Sequence, residues 1–410
     1  MSQLACRGCG GDQLRIVLSL GKMPPSNAFL TEGELTEPEI RYPLDLAFCE
    51  ACALAQLTVS VDPIGLFREY AYFSSYSETM LAHAKALVLR LIGQRQLGQD
   101  SLVMEIASND GYLLRNYVNA GVPVLGIDPA HNVAEAAQSH GVETICEFFG
   151  EELADALCFS GRRANVVHAN NVLAHVPDVN GVVRGIGRVL SDGGVAVIET
   201  PYVRDLVERL EFDTIYHEHL FYYSLTALDR LFTRNNMCIV DVERIPIHGG
   251  SLRVYASPSA MASARRTSVA NLLEEERRLG LASLDYFEGF SERVEALRPE
   301  LLALLDGLKE QGHRVAAYGA AAKGTVLLNA FGIGTERIEF VADRSEYKQG
   351  RFMPGVHVPI VSPDALTTEM PNEVLLLAWN FADEIVEQQA EYRRRGGRFI
   401  IPAPVPAVIG

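Results

Sequence analysis

The stretch that decides the fold is Val103-Met104-Glu105-Ile106-Ala107-Ser108-Asn109-Asp110-Gly111. Its mostly apolar start predicts a buried strand, and the small residues that follow predict a tight loop before a helix. Such a loop brings backbone N–H groups close to a ligand at the carboxyl end of the strand. The residues that we expect to line a cofactor site here are Glu105, Ala107, Asn109 and Gly111.

From residue 101 onward, short apolar strands alternate with helical segments, which is the pattern of a parallel sheet with crossover helices. The predicted strands are 102–106, 123–127, 143–145, 164–168 and 194–199, with 237–245 and 251–257 as a closing antiparallel pair. A second alternation has predicted strands at 314–318, 337–342, 373–377 and 398–401. The fold class is therefore α/β, with two Rossmann-like units.

Length and net charge limit the number of domains and the kinds of ligand that we expect. The 410 residues predict two to four domains, at about 100–200 residues each. The net charge of −16 argues against a nucleic-acid or anionic-membrane surface, because phosphates are bound by basic clusters. We find no apolar run long enough to span a bilayer and no signal-peptide pattern near Met1. We therefore expect a cytoplasmic enzyme with a small-molecule substrate.

Four of the seven cysteines form two Cys-x-x-Cys pairs, Cys6 with Cys9 and Cys49 with Cys52. Each pair points two thiolates at one centre, and together they supply the four sulfur ligands of a structural zinc site. We expect Gly11, the second glycine of Cys9-Gly10-Gly11, to fit the turn that closes the first pair. A redox Cys-x-x-Cys and an accidental pairing remain as alternatives.

Three further pieces follow the ends of later strands. Asp128 ends the second strand, where a carboxylate can accept both hydroxyls of a ribose. A segment from Ala169 through Asn170 to Asp178 follows the fourth strand, and Ile198-Glu199-Thr200-Pro201 ends the fifth. The loop and the acid alone are equally compatible with an NAD site.

The set of four pieces resembles the class I S-adenosylmethionine-dependent methyltransferases. In that class these loops hold, in order, the methionine part, the ribose and the reacting face. This sequence departs from the usual pattern because Ala107 and Asn109 stand where glycines are common. Phe148 and Phe149 lie where such enzymes flank the adenine, and a pair of core phenylalanines is the alternative.

The segment Tyr216-His217-Glu218-His219 is embedded among apolar and aromatic residues. A zinc-protease motif is excluded because HExxH needs a histidine at position 221, which is Phe221. A histidine beside a glutamate in a partly apolar pocket suits a general base near neutral pH, and a tyrosine can hydrogen-bond an enolate oxygen. The candidate catalytic residues are His219, Tyr216, Glu218 and, after the fourth strand, His175. A polar surface turn and a structural His175 are the alternatives.

Two further segments are candidates for substrate binding. Ile247-His248-Gly249-Gly250-Ser251-Leu252-Arg253 combines glycines that permit close backbone approach with an arginine that can meet a phosphate, and a plain hairpin turn is the alternative. The loop from Gly319 to Lys323 starts the second unit and can cradle an anion at a helix N-terminus. The substrate candidates are His248, Ser251, Arg253, Lys323 and Lys348. We expect a nucleotide diphosphate as ligand, with an NAD-dependent activity or a vestigial loop as alternatives.

The order of these motifs along nearly the whole chain resembles the zinc-containing sugar C-methyltransferases of deoxysugar biosynthesis, which methylate 4-keto nucleotide sugars in antibiotic pathways. The resemblance implies a monomer with a zinc-binding module (1–70), a methyltransferase domain (71–260), and a helical connector with a C-terminal Rossmann-like domain (261–410). It implies S-adenosylmethionine and structural zinc as cofactors. It also implies that a base removes the proton alpha to the ketone, at the matching positions Tyr216, Glu218 and His219, with His175 close by.

The aromatic segment before the first long helix is expected to cover the cofactor or the sugar. We assign Tyr72 to the cofactor and Tyr76 to the substrate. Two other functions stay open from the sequence, namely an N-, O- or C-methyltransferase acting on a non-sugar natural product and a non-catalytic zinc-ribbon interaction protein.

Overall fold

The computed structural model describes residues 4–62, 75 and 77–410. Its strands are β1 (Leu14–Met23), β2 (Tyr42–Cys49), β3 (Ala55–Leu57), β4 (Val103–Ile106), β5 (Val124–Ile127), β6 (Thr144–Ile145), β7 (Ala164–Asn170), β8 (Leu190–Pro201), β9 (Phe221–Tyr222), β10 (Met237–Ile245), β11 (Ser251–Pro258), β12 (Val315–Tyr318), β13 (Val341–Ala342), β14 (Ile360–Val361), β15 (Glu373–Leu376), β16 (Arg398–Ile401) and β17 (Ala407–Ile409).

The α-helices follow the same order along the chain. They are α1 (Glu78–Arg95), α2 (Leu114–Asn119), α3 (His131–Ser139), α4 (Glu151–Phe159), α5 (Val179–Val189), α6 (Val203–Glu208), α7 (Leu225–Arg234), α8 (Thr267–Leu279), α9 (Phe290–Glu310), α10 (Ala322–Phe331), α11 (Ala365–Glu369), α12 (Ala382–Gln388) and α13 (Ala390–Arg394). Short 3₁₀ turns at Phe212–Thr214, Ile247–Gly249 and Trp379–Phe381 matter for the site described below.

The central sheet has seven strands in the order β10-β11-β8-β7-β4-β5-β6. Strands β4 to β8 are parallel, and β11 runs antiparallel between β8 and β10. The predicted parallel sheet and its closing antiparallel pair are therefore confirmed. The carboxyl ends of β4, β5, β7 and β8 meet at one edge, which is where ligands bind in open α/β sheets.

The C-terminal sheet has six strands in the order β14-β13-β12-β15-β16-β17. Strands β12 to β16 are parallel, and β17 is antiparallel at the edge. The prediction of a second Rossmann-like unit is confirmed, although β14 and β17 were not predicted. Strands of two or three residues are too short to show an alternating pattern.

The N-terminal sheet is antiparallel, with the order β1-β2-β3-β9. Its fourth strand, β9, comes from a part of the sequence more than 160 residues after β3. This strand begins two residues after the His217-Glu218-His219 segment. Ala55 of β3 pairs with Tyr222, and Gln56 pairs with Phe221. The cysteine-rich module thus shares its sheet with the segment that carries the candidate catalytic residues.

A continuous core of buried apolar side chains links the three sheets, with members such as Leu18, Phe212 and Phe331. None of the helices in the described part of the chain is both long and apolar enough to cross a membrane.

Candidate active site

The four predicted zinc ligands lie together. The Sγ atoms of Cys6, Cys9, Cys49 and Cys52 all lie within 4.8 Å of one another. Cys6 and Cys52 have Sγ atoms 3.6 Å apart, and Cys9 and Cys49 have theirs 3.7 Å apart. Four sulfurs at about 2.3 Å around one tetrahedral zinc lie roughly 3.8 Å from one another. The geometry fits a structural zinc site closed by sulfur.

Both cysteine pairs sit on the same kind of turn. The carbonyl of Cys6 accepts the N–H of Gly10, and the carbonyl of Cys49 accepts the N–H of Ala53. Gly10 and Ala53 have positive φ angles of 76° and 61°. The residue with the left-handed backbone is therefore Gly10, and the expectation that Gly11 fills this role was wrong. Gly11 instead donates its N–H to Sγ of Cys9.

The carboxyl edge of the central sheet carries several buried polar atoms. Oε2 of Glu105, Oδ1 of Asp110 and Oδ1 of Asn170 have no hydrogen-bond partner among the described residues. Burial, with Asp110 and Asp128 nearby, raises the pKa of Glu105 well above its usual value. Buried polar atoms of this kind are satisfied by a ligand or water. The edge therefore fits a ligand with a cationic, hydrogen-bonding end such as the amino acid part of S-adenosylmethionine.

Asp128 joins the loop after β4 to the loop after β5. Its Oδ2 accepts the N–H of Asn109 and its Oδ1 accepts the N–H of Ala130, both at 2.9 Å. Each oxygen keeps a further lone pair, as two ribose hydroxyls require. Ala107 and Asn109 have φ angles of 52° and 51°, so these non-glycine residues adopt the left-handed backbone that glycine usually supplies.

The two phenylalanines after β6 differ in their surroundings. Phe148 is 49% exposed and stays a candidate for an adenine contact. Phe149 is buried beneath α5, where a Cβ atom added to Gly185 would lie 3.0 Å from its ring. The expectation that both flank the adenine is corrected, because Phe149 is a core residue. Tyr72 and Tyr76 lie outside the described residues.

The three residues of the His217-Glu218-His219 segment point in different directions. The ring of His217 packs edge-on against Tyr42 of β2, with centroids 5.8 Å apart. Both carboxylate oxygens of Glu218 accept from Nδ2 of Asn27, at 2.8 and 2.9 Å. Burial raises the pKa of Glu218 to about 7, while Asn27 and the charge of Lys348 oppose the rise.

His219 is held at both ring nitrogens. Its Nδ1 lies 3.1 Å from the carbonyl oxygen of Thr214, and its Nε2 lies 2.7 Å from Oη of Tyr216. A carbonyl only accepts, so Nδ1 carries the proton and Nε2 is the acceptor. Glu218 does not orient this ring, so the prediction of Glu218 as a partner of His219 is corrected.

His175 lies against the same ring. The centroids of His175 and His219 are 4.7 Å apart in an edge-on arrangement. Burial lowers the pKa of His175 to about 4, and burial with His175 nearby lowers the pKa of His219 well below 6.5. Both imidazoles are therefore neutral at pH 7, and the structure brings together His175, Tyr216 and His219 as predicted.

The glycines of the 247–253 segment approach carboxylates of the chain itself. A Cβ atom on Gly249 would lie 2.4 Å from Oε1 of Glu211, and one on Gly250 would lie 2.3 Å from Oδ2 of Asp205. Oγ of Ser251 donates to the carbonyl of Ile247, at 2.8 Å. These residues build a turn, so the prediction of Ser251 as a substrate contact is corrected.

Arg253 has a structural role in place of the predicted phosphate contact. Its Nε donates to Oε1 of Glu199 at 2.6 Å, and its Nη1 donates to Oε2 of Glu243 at 3.1 Å. Its Nη2 lies 3.0 Å from Nε2 of His83 in α1. A guanidinium that is 5% exposed and bound on three sides has no free face for a ligand.

The candidate substrate residues that remain are His248, Lys323 and Lys348, and each contacts a residue of the C-terminal domain. The ring of His248 is 6.2 Å from that of Phe381, and burial with Lys323 nearby lowers its pKa to about 4. Nζ of Lys323 lies 3.8 Å from Oδ1 of Asp213. Nζ of Lys348 donates to the carbonyl of Ala320 at 2.9 Å. Both lysine side chains are mostly buried, and their ammonium groups already hold contacts within the protein.

Sequence reasoning missed three residues around His219. Asn27 holds Glu218, Asp213 belongs to the turn that ends in Thr214, and Trp379 donates Nε1–H to Asp213 at 2.6 Å. Asn27 and Trp379 come from parts of the chain far from position 219, so no local motif indicates them. The sequence offered one indication of Trp379, since it is the single tryptophan of the chain.

Known protein families match this chain over nearly its whole length. A zinc binding domain matches residues 6–67, a methyltransferase domain matches 76–242, and a C-methyltransferase C-terminal domain matches 246–404. The C-methyltransferase NovU of Streptomyces niveus is 37% identical over 404 residues, which cover 98% of this chain and 96% of NovU. The chain belongs to this C-methyltransferase family. It is an S-adenosylmethionine-dependent C-methyltransferase with a structural zinc module.

Other similarities cover only the central part. A ubiquinone biosynthesis O-methyltransferase of Azorhizobium caulinodans is 32% identical over 103 residues, which are 24% of this chain and 39% of that protein. Magnesium protoporphyrin IX methyltransferase of Synechocystis, solved with bound S-adenosylmethionine, is 14% identical. It covers 43% of this chain and 78% of its own, with a TM-score of 0.34. Because the chain belongs to a family of C-methyltransferases, the alternative of a non-catalytic zinc-ribbon interaction protein is excluded.

Replacing one zinc ligand tests the metal site. We expect Cys49→Ser to lower the zinc content from one ion per chain, because a closed site needs all four sulfurs. Hydrogen exchange at Leu57 and Phe221 should also quicken, since their strands pair beside the module. Cys146→Ser, at a cysteine outside the cluster, is the control and should keep its zinc. Full zinc content in Cys49→Ser by metal analysis would contradict the assignment.

Replacing Asp128 tests the ribose contact. Asp128→Asn removes the charge that accepts hydroxyl groups, so the affinity for S-adenosylmethionine should fall roughly ten- to a hundredfold. Asp192→Asn, at an exposed aspartate of the same domain, should bind with wild-type affinity. Calorimetry measures both. Equal affinities for the two variants would remove Asp128 from the site.

Proposed function

We propose that this C-methyltransferase removes a proton from the carbon alpha to the ketone of a 4-keto nucleotide-linked deoxysugar and methylates the resulting enolate carbon. The observation that carries this proposal is the state of His219. Its Nδ1–H faces the carbonyl of Thr214, which leaves Nε2 as a neutral acceptor beside the hydroxyl of Tyr216. A neutral imidazole with a fixed acceptor nitrogen is equipped to take a proton.

The chemistry of carbon transfer requires such a base. A carbon that bears only hydrogen is no nucleophile until a neighbouring ketone acidifies it and a base removes the proton. Oxygen and nitrogen acceptors already carry lone pairs, so for them the enzyme mainly has to position the acceptor atom near the methyl group. The His219–Tyr216 pair therefore favours a ketone substrate over an amine or alcohol. Bound S-adenosylmethionine supplies the electrophilic methyl group.

Each residue has a defined task in this proposal. When the ketone oxygen of the substrate accepts the Tyr216 hydroxyl, Nε2 of His219 loses its donor and its lone pair becomes available. The α-carbon then gives its proton to Nε2 while the negative charge moves onto the ketone oxygen, where Tyr216 hydrogen-bonds it. His175 is neutral, so it adds no positive charge beside the imidazolium that forms. Thr214 stabilises that imidazolium through Nδ1–H.

The basic residues near His219 support a nucleotide sugar as the substrate. Residues from the N-terminal and C-terminal parts reach the segment of His219, since Asn27 binds Glu218 and the charge of Lys348, in the turn between β13 and β14, lowers the pKa of Glu218. His248 and Lys323 lie close enough to His219 to contribute to the lowering of its pKa. A substrate of several groups can therefore place its ketone at His219 and a phosphate near the lysines. A single chain holds all of these residues, so we propose a functional monomer.

Removing the base separates chemistry from cofactor binding. We expect His219→Asn to bind S-adenosylmethionine normally and to lose roughly 10²–10⁴-fold in turnover, the usual worth of general-base catalysis. In heavy water with S-adenosylhomocysteine, wild type should exchange the α-proton of a 4-keto nucleotide sugar and the variant should not. His217→Asn is the matched control, because that ring faces β2 and should be dispensable for turnover. Near wild-type turnover in His219→Asn would place the base elsewhere, with His175 as the first candidate.

The pH dependence distinguishes His219 from Glu218. The base must be unprotonated, so the rate falls as the pH drops through its pKa. The pKa of His219 lies well below 6.5, whereas that of Glu218 is about 7. We therefore expect kcat to stay constant from pH 8 to below pH 6.5 and then to fall. A fall centred near pH 7 that disappears in Glu218→Gln would make Glu218 the base.

A further inference from the structure

A 3₁₀ turn connects the C-terminal domain to His219. The turn spans Phe212–Thr214, and its last carbonyl, that of Thr214, accepts Nδ1–H of His219. The hydroxyl of Tyr222 also approaches this carbonyl, at 3.4 Å. The direction of one peptide group therefore decides which nitrogen of His219 carries the proton.

Asp213 fixes that turn from within. Its carboxylate interacts with the backbone N–H groups of Asp213 and Thr214. The side chain is 1% exposed, and burial raises its pKa. A buried carboxylate is costly unless donors and positive charge surround it, so the turn depends on what Asp213 meets on its outer side.

The C-terminal domain supplies those partners. Nε1–H of Trp379 donates to Oδ2 of Asp213 at 2.6 Å, and Nζ of Lys323 lies 3.8 Å from Oδ1. The same ammonium group lies 4.7 Å from the centre of the Trp379 ring, so the three groups support one another. Phe331 of α10 stacks on Phe212 with ring centroids 5.0 Å apart. The C-terminal partners in these contacts, Trp379, Lys323 and Phe331, thus all come from the last hundred residues of the chain.

We propose that the Trp379–Asp213 contact is a positioning device through which the C-terminal domain sets the tautomer of His219. This inference rests on the proposed function of His219 as the base. With the contact present, the Thr214 carbonyl faces Nδ1–H and Nε2 accepts. Without it, the turn loses its anchor, and the proton is free to move to Nε2, where the ring can no longer take one from a substrate. Trp379 and Asp213 are positioning residues that do not touch the reacting atoms.

Trp379→Phe tests the device because it removes the indole N–H donor and leaves an aromatic ring beside Lys323. In the enzyme with bound S-adenosylhomocysteine, ¹⁵N NMR of labelled histidines reports the tautomer, and the His219 signals are assigned by their loss in His219→Asn. We expect the protonated nitrogen of His219 to change from Nδ1 alone to a mixture. With a nucleoside-diphosphate-linked 4-keto-6-deoxyhexose, kcat should fall roughly ten- to a hundredfold, the size of a lost hydrogen bond to a charged group. KM should stay within about twofold.

Tyr392→Phe is the matched control. It removes another aromatic donor in the same domain, the Tyr392 hydroxyl that bonds the carbonyl of Pro371 at 2.9 Å, far in sequence from the turn. We expect it to lower the melting temperature and to leave the tautomer and kcat unchanged. Should Trp379→Phe fail to fold, Asp213→Asn takes its place, and fluorescence of the single tryptophan reports the altered contact.

A double-mutant cycle with His219→Asn separates this inference from the function on which it rests. If Trp379 acts through His219, adding Trp379→Phe to His219→Asn should change kcat by less than about twofold. A full-sized effect in that background, or an unchanged tautomer and kcat in Trp379→Phe alone, would overturn the inference. An active His219→Asn would instead overturn the proposed base, while the NMR result still decides whether Trp379 controls the tautomer.

Discussion

The pairing of β3 with β9 is the interaction on which the rest of the site depends. The N–H of Leu57 donates to the carbonyl of Leu220, one residue after His219, at 2.9 Å. On its other side β3 is tied to the first cysteine turn, because the backbone N–H of Arg7 donates to Oε1 of Gln56 at 2.9 Å and its guanidinium donates to the carbonyl of Leu57. A metal that closes the cysteine turns therefore stabilises β3, the strand that bonds to the residue next to His219. The zinc site is structural, and backbone hydrogen bonds connect it to the segment that carries His219.

Three parts of the chain complete one small volume around residues 214–219. The N-terminal loop contributes Asn27 to Glu218, the central domain contributes His175, and the C-terminal domain contributes Trp379 to Asp213. Isolated carboxyl and imidazole groups in such a dry environment change their pKa, and here the shifts favour neutral forms. A neutral base is what carbon deprotonation needs before the substrate arrives. Burial is the main cause of these shifts, and groups from the N-terminal and C-terminal parts, such as Asn27 and Trp379, oppose the rise in the pKa values of Glu218 and Asp213.

At the carboxyl edge of the central sheet, the loop after β4 has an unusual backbone conformation for its residue types. Ala107 and Asn109 keep left-handed φ angles without the help of glycine, and Asp128 holds Asn109 in place through its backbone N–H. A non-glycine residue in this region costs of order 1–2 kcal/mol. The carboxylate of Asp128 therefore stabilises the loop, and its remaining lone pairs are available for the predicted ribose contact. Arg253 and Glu199 form a buried ion pair, and both side chains also contact His83 of α1. The pair therefore holds α1 against the central sheet.

The sequence by itself determined the fold class, the zinc ligands and which residue types, His175, Tyr216 and His219, form the cluster proposed as the active site. Two Cys-x-x-Cys pairs indicate a metal site wherever they occur, and strand-to-loop transitions such as Glu105–Gly111 depend on neighbours along the chain. Only the tertiary structure decided that Phe149 is a core residue, that Arg253 is bound within the protein, and that Glu218 faces Asn27. These outcomes depend on residues distant in sequence, and a side chain's direction and remaining hydrogen-bonding capacity are set by such contacts. A local motif names the residue types present, whereas packing decides which of their atoms stay available for chemistry.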